Sequence, residues 1–302
     1  MSVVDAARRK AAETLARLRG SAPSGEAPAA APAPPAPPPP LTLRPFEPLT
    51  PASTGVRCVV CTWEGEAFTP PMHCERAICP SCGAIGRDRW LFHCLVSRVP
   101  VTRETRLLET SPRLGGEYRD AMKQRLEYLS SDYDLRAHKA DIALDLQDMA
   151  LPDASLDVIM TSHVLEHVPD TDAALREVFR VLKPGGSVIL LVPVPQGETA
   201  PPTEPEFHGD MTPVFWRFGL DLTDRLRSHG FETDLLCTEE FRRHVLANDP
   251  EWPELFPEWD VPSILAAAKP DDLTVVMDDD LARTAGLTPG YMYLAWHGRK
   301  PA

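Results

Sequence analysis

Four of the seven cysteines fall in two pairs, Cys58-Val-Val-Cys61 and Cys79-Pro-Ser-Cys82, with residues 62–78 between them. Two such knuckles bring four thiolates within reach of one ion, and zinc takes four soft ligands in a tetrahedron. Gly83 follows the second pair, where a tight turn brings backbone N–H groups toward the sulfurs. His73 and Cys74 lie between the pairs and are alternative ligands. Four thiolates leave no open position for water, so the expected role is structural zinc, not catalysis. A redox Cys-x-x-Cys would not need the second pair. The segment is too small to fold on an apolar core of its own, so metal binding would supply much of its stability. Cys94 and Cys237 read as apolar fillers.

The other residues that could do chemistry gather at the ends of apolar runs. Thr110-Ser111-Pro112-Arg113-Leu114-Gly115-Gly116 follows RLLET. Its glycines permit close backbone approach, and N–H groups at a helix start can hold a carboxylate. Ser131-Asp132-Tyr133-Asp134 ends the next run, where an acid can accept hydrogen bonds from ribose hydroxyls; Asp132 is preferred to Asp134. Asp145, within IALDL, and Asp148, just after it, lie near the end of the third run, where a carboxylate can accept from an adenine amino group, with Leu146 and Met149 placed to pack against the ring. Ser162-His163 and Glu166-His167 follow SLDVIMT. His163 is a candidate base or orienting group for a bound acceptor, and an acid such as Glu166 suits the positive end of the helix expected after it.

These positions make sense only if the runs are strands of one sheet. RLLET, LEYLSSD, IALDL, SLDVIMTS and SVILLVPV read as strands. EYRDAMKQRL and DAALREVFRVLK read as helices, the second ended by Pro184-Gly185-Gly186. Such alternation predicts an α/β fold, a doubly wound, mostly parallel sheet covered on both faces. Ligands then bind beyond the carboxyl ends of the strands, where every residue named above lies. A helix near 220–229, a strand at FETDLL and a final edge or closing strand at YMYLAWH complete the pattern, with 249–290 less regular.

The predicted organisation is a short helix over 1–20, a Pro/Ala-rich spacer over 21–51, a zinc-ribbon-like subdomain over 52–98 and the α/β domain over 99–302. Insertions near 196–218 and 249–290 would cap a substrate pocket. The chain has 302 residues, is 43% hydrophobic and carries a formal net charge of −13. That acidic balance argues against non-specific nucleic-acid binding and against an anionic membrane surface. Neither a spanning apolar run nor a secretory signal is evident, so a cytoplasmic location is expected. Oligomeric state is left open.

The run ALPDASLDVIMTSHVLEHVPDTDAALREVFRVLKPGGSVILLVPV resembles the core of class I S-adenosylmethionine-dependent methyltransferases of the "type 11" kind. The resemblance covers roughly 106 to 237. LPDASLDVI resembles the segment entering the fourth strand, VLEHV the motif after it, and LKPGG the turn before the fifth. Cys79-Pro80-Ser81-Cys82-Gly83 with Arg87-Asp88-Arg89 resembles the opening of some bacterial members, whose usual glycine-rich loop is altered. The resemblance implies a Rossmann-like fold, S-adenosylmethionine as cofactor and no metal in the methyl transfer itself. Carried onto this chain, the cofactor residues are Thr110, Ser111, Pro112, Gly115, Asp132, Asp145, Leu146, Ser162 and His163.

Methyl transfer is a direct displacement, so the enzyme mainly aligns acceptor and methyl carbon. A base is needed only where the acceptor must lose a proton, and His163 and His208 are the candidates. His208 lies in EFHGDMTPVFWRFG, whose Asp210, Phe215, Trp216 and Arg217 could shape the pocket. The expected acceptor is an oxygen or nitrogen of a small molecule. The alternatives are a protein or RNA substrate, or an S-adenosylmethionine-binding domain with non-methylating or no catalytic activity.

Overall fold

The computed structural model describes residues 41–69, 77–208, 211–249 and 259–302. The expected N-terminal helix, the spacer up to residue 40, His73, Cys74 and Asp210 lie outside the described residues.

A two-stranded hairpin of β1 (Val56–Arg57) and β2 (Glu64–Gly65) opens the described body. Helix α1 (Gly86–Arg98) follows the second cysteine pair. The α/β series is then β3 (Arg106–Thr110), α2 (Gly116–Lys123), β4 (Glu127–Asp132), α3 (Leu135–His138), β5 (Ile142–Ala143), β6 (Leu156–Ser162), a 3-10 turn at Leu165–His167, α4 (Thr171–Val181) and β7 (Leu182–Leu191). A small antiparallel hairpin, β8 (Glu206–Phe207) and β9 (Pro213–Val214), precedes α5 (Leu222–Ser228), β10 (Glu232–Thr238) and α6 (Glu239–Ala247). The chain ends with α7 (Val261–Ala267), β11 (Leu273–Met277), α8 (Asp279–Thr284) and β12 (Leu294–Arg299).

One eight-stranded sheet runs in the order β11-β10-β12-β7-β6-β3-β4-β5. Every pairing is parallel except those of β12, which is antiparallel to both β7 and β10. Both faces are buried, as the alternation of side chains along a strand requires. Leu107, Val158, Ile189 and Ala295 enter one core, while Leu108, Ile159, Leu190 and Trp296 enter the other. Helices α1 and α2 cover the first face with Trp90, Leu95 and Met122. Helices α4 to α7 cover the second with Leu175, Leu226, Phe241 and Ile264. α4 shows why the local sequence is helical. The Asp170 side chain accepts from Ala173 N–H at 2.8 Å, and buried Ala174, Leu175, Val178 and Val181 recur at helical spacing.

Four local expectations are corrected. YMYLAWH is not an edge: its strand starts at Leu294 and is inserted between β7 and β10 with Trp296 fully buried. α4 stops at Val181, before the Pro-Gly-Gly turn, which bulges within β7. There Gly185 takes a φ of +78°, and Lys300 Nζ closes the helix end by donating to Phe179 and Leu182 carbonyls at 2.7 Å each. The irregular stretch 249–290 holds β11, whose Leu-Thr-Val-Val-Met run extends the sheet beyond β10. Residues 41–51, composed like the spacer, instead pack on the body: Leu43 and Leu49 are buried, and Arg44 N–H donates to Val60 C=O.

The cysteine segment shares a core with the sheet. Cys58, Cys61 and Cys79 pack in the same cluster as Leu107, Val158 and Ile189. Arg89 locks this arrangement. Its guanidinium is fully buried and donates to the carbonyls of Ala77, Ala84, Ala285 and Gly286 at 2.7–2.9 Å, with the Phe68 ring 4.0 Å away. One side chain thus ties the cysteine turn to the turn after α8. Replacing it would leave buried carbonyls unpaired, at about 1–3 kcal/mol each. Arg89→Met is therefore expected to lower the unfolding free energy by at least roughly 3 kcal/mol in urea titration. A change below about 1 kcal/mol would contradict this role.

Candidate active site and metal centre

The four cysteine sulfurs converge. Cys58 and Cys82 Sγ lie 3.6 Å apart, and Cys61 and Cys79 Sγ 3.7 Å apart. Sulfurs about 2.3 Å from a tetrahedral zinc stand roughly 3.8 Å from one another, so the spacing fits the ion. Gly83, at φ +73°, makes the turn in which its N–H donates to Cys79 C=O at 2.9 Å. The four form a cluster able to hold zinc. Cys94 and Cys237 are buried fillers, and burial pushes both thiols up.

The crevice lies at the carboxyl ends of β3, β4 and β6. Two neighbouring strands end in residues with left-handed backbone, Ser111 at φ +49° and His163 at φ +54°. Non-glycine residues rarely take this conformation, and such strain concentrates at functional sites. Thr110 Oγ1 donates to Thr161 Oγ1 at 2.7 Å, joining the two strand ends below the turns. Asp132 ends β4 with its carboxylate 8% exposed. Ser111 Oγ donates to Asp132 Oδ2 at 3.0 Å, His138 Nδ1 lies 2.7 Å from the same oxygen, and Asp134 N–H donates to Oδ1 at 3.1 Å. Asp134 instead pairs with Arg136 on the surface. Tyr133, 79% exposed, stands between the two acids.

Other sequence candidates are placed as follows. Pro112 is buried in the loop after β3. Gly115 and Gly116 begin α2, and a Cβ on Gly115 would meet nothing within 4 Å. Asp145 accepts from its own turn, from Gln147 N–H at 2.9 Å and the Gln147 side chain at 3.1 Å. Leu146 and Met149 point into the second core. Ser162 is the half-buried last residue of β6.

The Arg87-Asp88-Arg89 stretch has three separate functions. Arg89 is the lock already described. Asp88 Oδ2 accepts from Ile85 N–H at 2.9 Å at the start of α1 and pairs with Arg113. Arg113 also donates to Gly83 C=O at 2.9 Å, so the loop lacking the usual glycines is clamped to the cysteine turn. Arg87 crosses to the β6 turn and donates to His163 Nδ1 at 3.2 Å. A guanidinium only donates, so His163 Nδ1 is the acceptor and its proton sits on Nε2. Burial first, then Arg87, His208 and His167, hold the His163 imidazole well below its usual range, so it stays neutral.

Around His163 the structure gathers groups that composition alone does not connect. Glu166 is 2% exposed, and neither carboxylate oxygen has a hydrogen-bond partner among the described residues. Its Oε1 lies 3.6 Å from His163 Nδ1 and 3.9 Å from His167 Nε2. Burial pushes its carboxyl up to about 8. His208, on the β8–β9 hairpin, stands edge-on to His167 with ring centroids 4.5 Å apart. Beside this group lies a cavity walled by Trp90, Trp259, Tyr291 and Tyr293 and lined also by Arg87 and His163.

A "Methyltransferase domain" family model matches residues 115–190, which run from the start of α2 into β7. Residues 115–190 thus match a methyltransferase domain and lie on a Rossmann-like, mostly parallel sheet. The chain is similar to a probable S-adenosylmethionine-dependent methyltransferase of Mycolicibacterium smegmatis, 36% identical over 92 residues, or 30% of this chain and 34% of that one. It is also similar to the 27-O-demethylrifamycin SV methyltransferase of Amycolatopsis mediterranei, 40% identical over 73 residues, or 20% of this chain and 27% of that one. It thus spans about a third or less of the length of these relatives. Among solved structures, an S-adenosylmethionine dependent methyltransferase from Mesorhizobium loti aligns at 18% identity and a TM-score of 0.40, over 70% of this chain and 98% of that one. Among the described residues no helix is long and apolar enough to cross a membrane.

Glu109 was not singled out by its sequence context. It lies in β3 under the clamped loop, accepting from Tyr128 Oη at 2.6 Å. Burial pushes its carboxyl up from 4.5 to about 7. The folded state therefore keeps a proton on Glu109 where the unfolded chain has lost it. Its stabilising contribution is present at low pH and is lost as pH rises through 7. Glu109→Gln keeps the shape without the titration. Urea unfolding is expected to show this variant gaining on the wild type at pH 8 relative to pH 5; an unchanged difference would contradict the assignment.

Proposed function

We propose that the protein transfers a methyl group from S-adenosylmethionine to an oxygen or nitrogen of a small molecule. The observation that carries this reading is the pairing of Ser111 and His163, two strained turns on adjacent strands, with Asp132 on the same edge of the mostly parallel sheet. When bound, the cofactor supplies an electrophilic methyl on a sulfonium sulfur. Asp132 would hold the ribose hydroxyls, with Ser111 and His138 fixing its carboxylate. Exposed Tyr133 offers a ring face to the adenine, and Asp145 an acceptor to its amino group. The open N-terminus of α2 at Gly115 and Gly116 would take the methionine carboxylate.

A cavity of about one water molecule's size beside His163 marks the side of the crevice from which the acceptor would approach, and the acceptor would need that cavity to widen. His163 Nε2–H would orient the acceptor atom by donating to it, since its Nδ1 is engaged by Arg87. One of the similar proteins, the 27-O-demethylrifamycin SV methyltransferase, carries a name that fits oxygen methylation of a small molecule.

Isothermal titration with S-adenosylmethionine and S-adenosylhomocysteine tests the reading. Both ligands are expected to bind. Asp132→Ala should weaken binding by roughly 10- to 100-fold, the worth of a hydrogen bond to a charged group. No binding of either ligand to the wild-type chain would overturn the proposal.

A further inference from the structure

Among the described residues, Glu166 is a buried acid whose two carboxylate oxygens have no hydrogen-bond partner, and the proposed methyl transfer does not use it. His167 faces it with a defined lone pair. His167 Nδ1 lies 2.7 Å from Pro213 C=O, and a carbonyl only accepts. Nδ1 therefore carries the proton, and Nε2, 3.9 Å from Glu166 Oε1, is bare. A buried carboxyl group and an imidazole nitrogen thus face one another across a gap longer than a hydrogen bond. His208 stands edge-on to His167, and one ligand atom each of Glu166, His167 and His208 lie within 4.8 Å of one another. Two ligands of one transition-metal ion span up to roughly 4.2 Å, so a small closure suffices.

We infer that Glu166, His167 and His208 form a three-ligand site for a divalent transition-metal ion, separate from the four-cysteine cluster. Two imidazoles and a carboxylate suit zinc, iron or manganese and leave coordination positions open. The Pro213 carbonyl fixes the His167 tautomer as outer-shell partners of metal-bound histidines do. The site adjoins His163 and so borders the aromatic cavity. If the methyl-transfer reading holds, an open position there would take an acceptor oxygen and lower its pKa. That narrows the acceptor to molecules with a metal-binding hydroxyl, and it departs from the metal-free transfer that the family resemblance implies.

The test uses the full chain with zinc in its cysteine cluster and needs no methyl donor. Equilibrium dialysis against Co2+ is followed by absorption spectroscopy. The wild type is expected to take up about one Co2+ per chain, with a weak d–d spectrum and no thiolate-to-metal charge transfer. Glu166→Gln and His208→Ala should each weaken that uptake at least tenfold while the zinc content stays constant. His167→Ala should do the same, and thermal unfolding of all three confirms that they fold. No uptake by the wild type, uptake only with thiolate charge transfer, or unchanged affinity in folded variants would each overturn the assignment. None of these outcomes depends on S-adenosylmethionine binding, so failure here and failure of the methyl-transfer reading are told apart.

Discussion

The structure turns on a buried positive charge held by backbone carbonyls. Arg89 has no carboxylate partner among the described residues; it is satisfied by four carbonyls from two distant turns. A buried cation is tolerated only when its donors are paired, so the two turns cannot separate without exposing both the charge and their own carbonyls. The cysteine turn, the start of α1 and the turn after α8 are therefore fixed as one unit. Everything that α1 presents to the crevice inherits that fixity, Arg87 above all.

This explains how the protein manages with an altered loop after β3. In place of closely spaced glycines, Ser-Pro-Arg-Leu-Gly-Gly takes its shape from outside. Arg113 reaches Asp88 and the Gly83 carbonyl, both on the cysteine side. The left-handed Ser111 is held from the other side by Asp132 and by its N–H to the Ser131 carbonyl. Strain in the loop is thus offset by a clamp from a segment that most readings of the sequence would set apart as an appendage. The four-cysteine turn and the loop after β3 thus become one mechanical piece.

Much of this was legible in the sequence because it depends on local pattern. The β3, β4, β6 and β7 runs alternate or saturate with apolar residues, and the cysteine spacing speaks for itself. The misplaced elements depend on distant contacts. Leu294–Arg299 reads as a terminal strand, yet it is paired on both sides, and nothing local reveals that insertion. Residues 41–51 share the spacer's composition, but two leucines bury themselves on the cysteine segment's core. At the site, Asp132 and His163 are visible from strand ends. The partners Arg87 and His138 come from other elements, and the isolation of Glu166 is a property of burial alone. The positive-φ turns at Ser111 and His163 could have been suspected only from polar residues placed directly at strand ends.

The central claim is that one crevice, bounded by the β3, β4 and β6 turns and by the start of α1, binds S-adenosylmethionine. Amide hydrogen exchange with and without S-adenosylhomocysteine tests it most directly, since it reads position as well as binding. The account expects slowed exchange at residues 110–117, 130–134 and 161–167 and at the first turn of α1, with none at β10 and β11. Protection confined to other segments would contradict it.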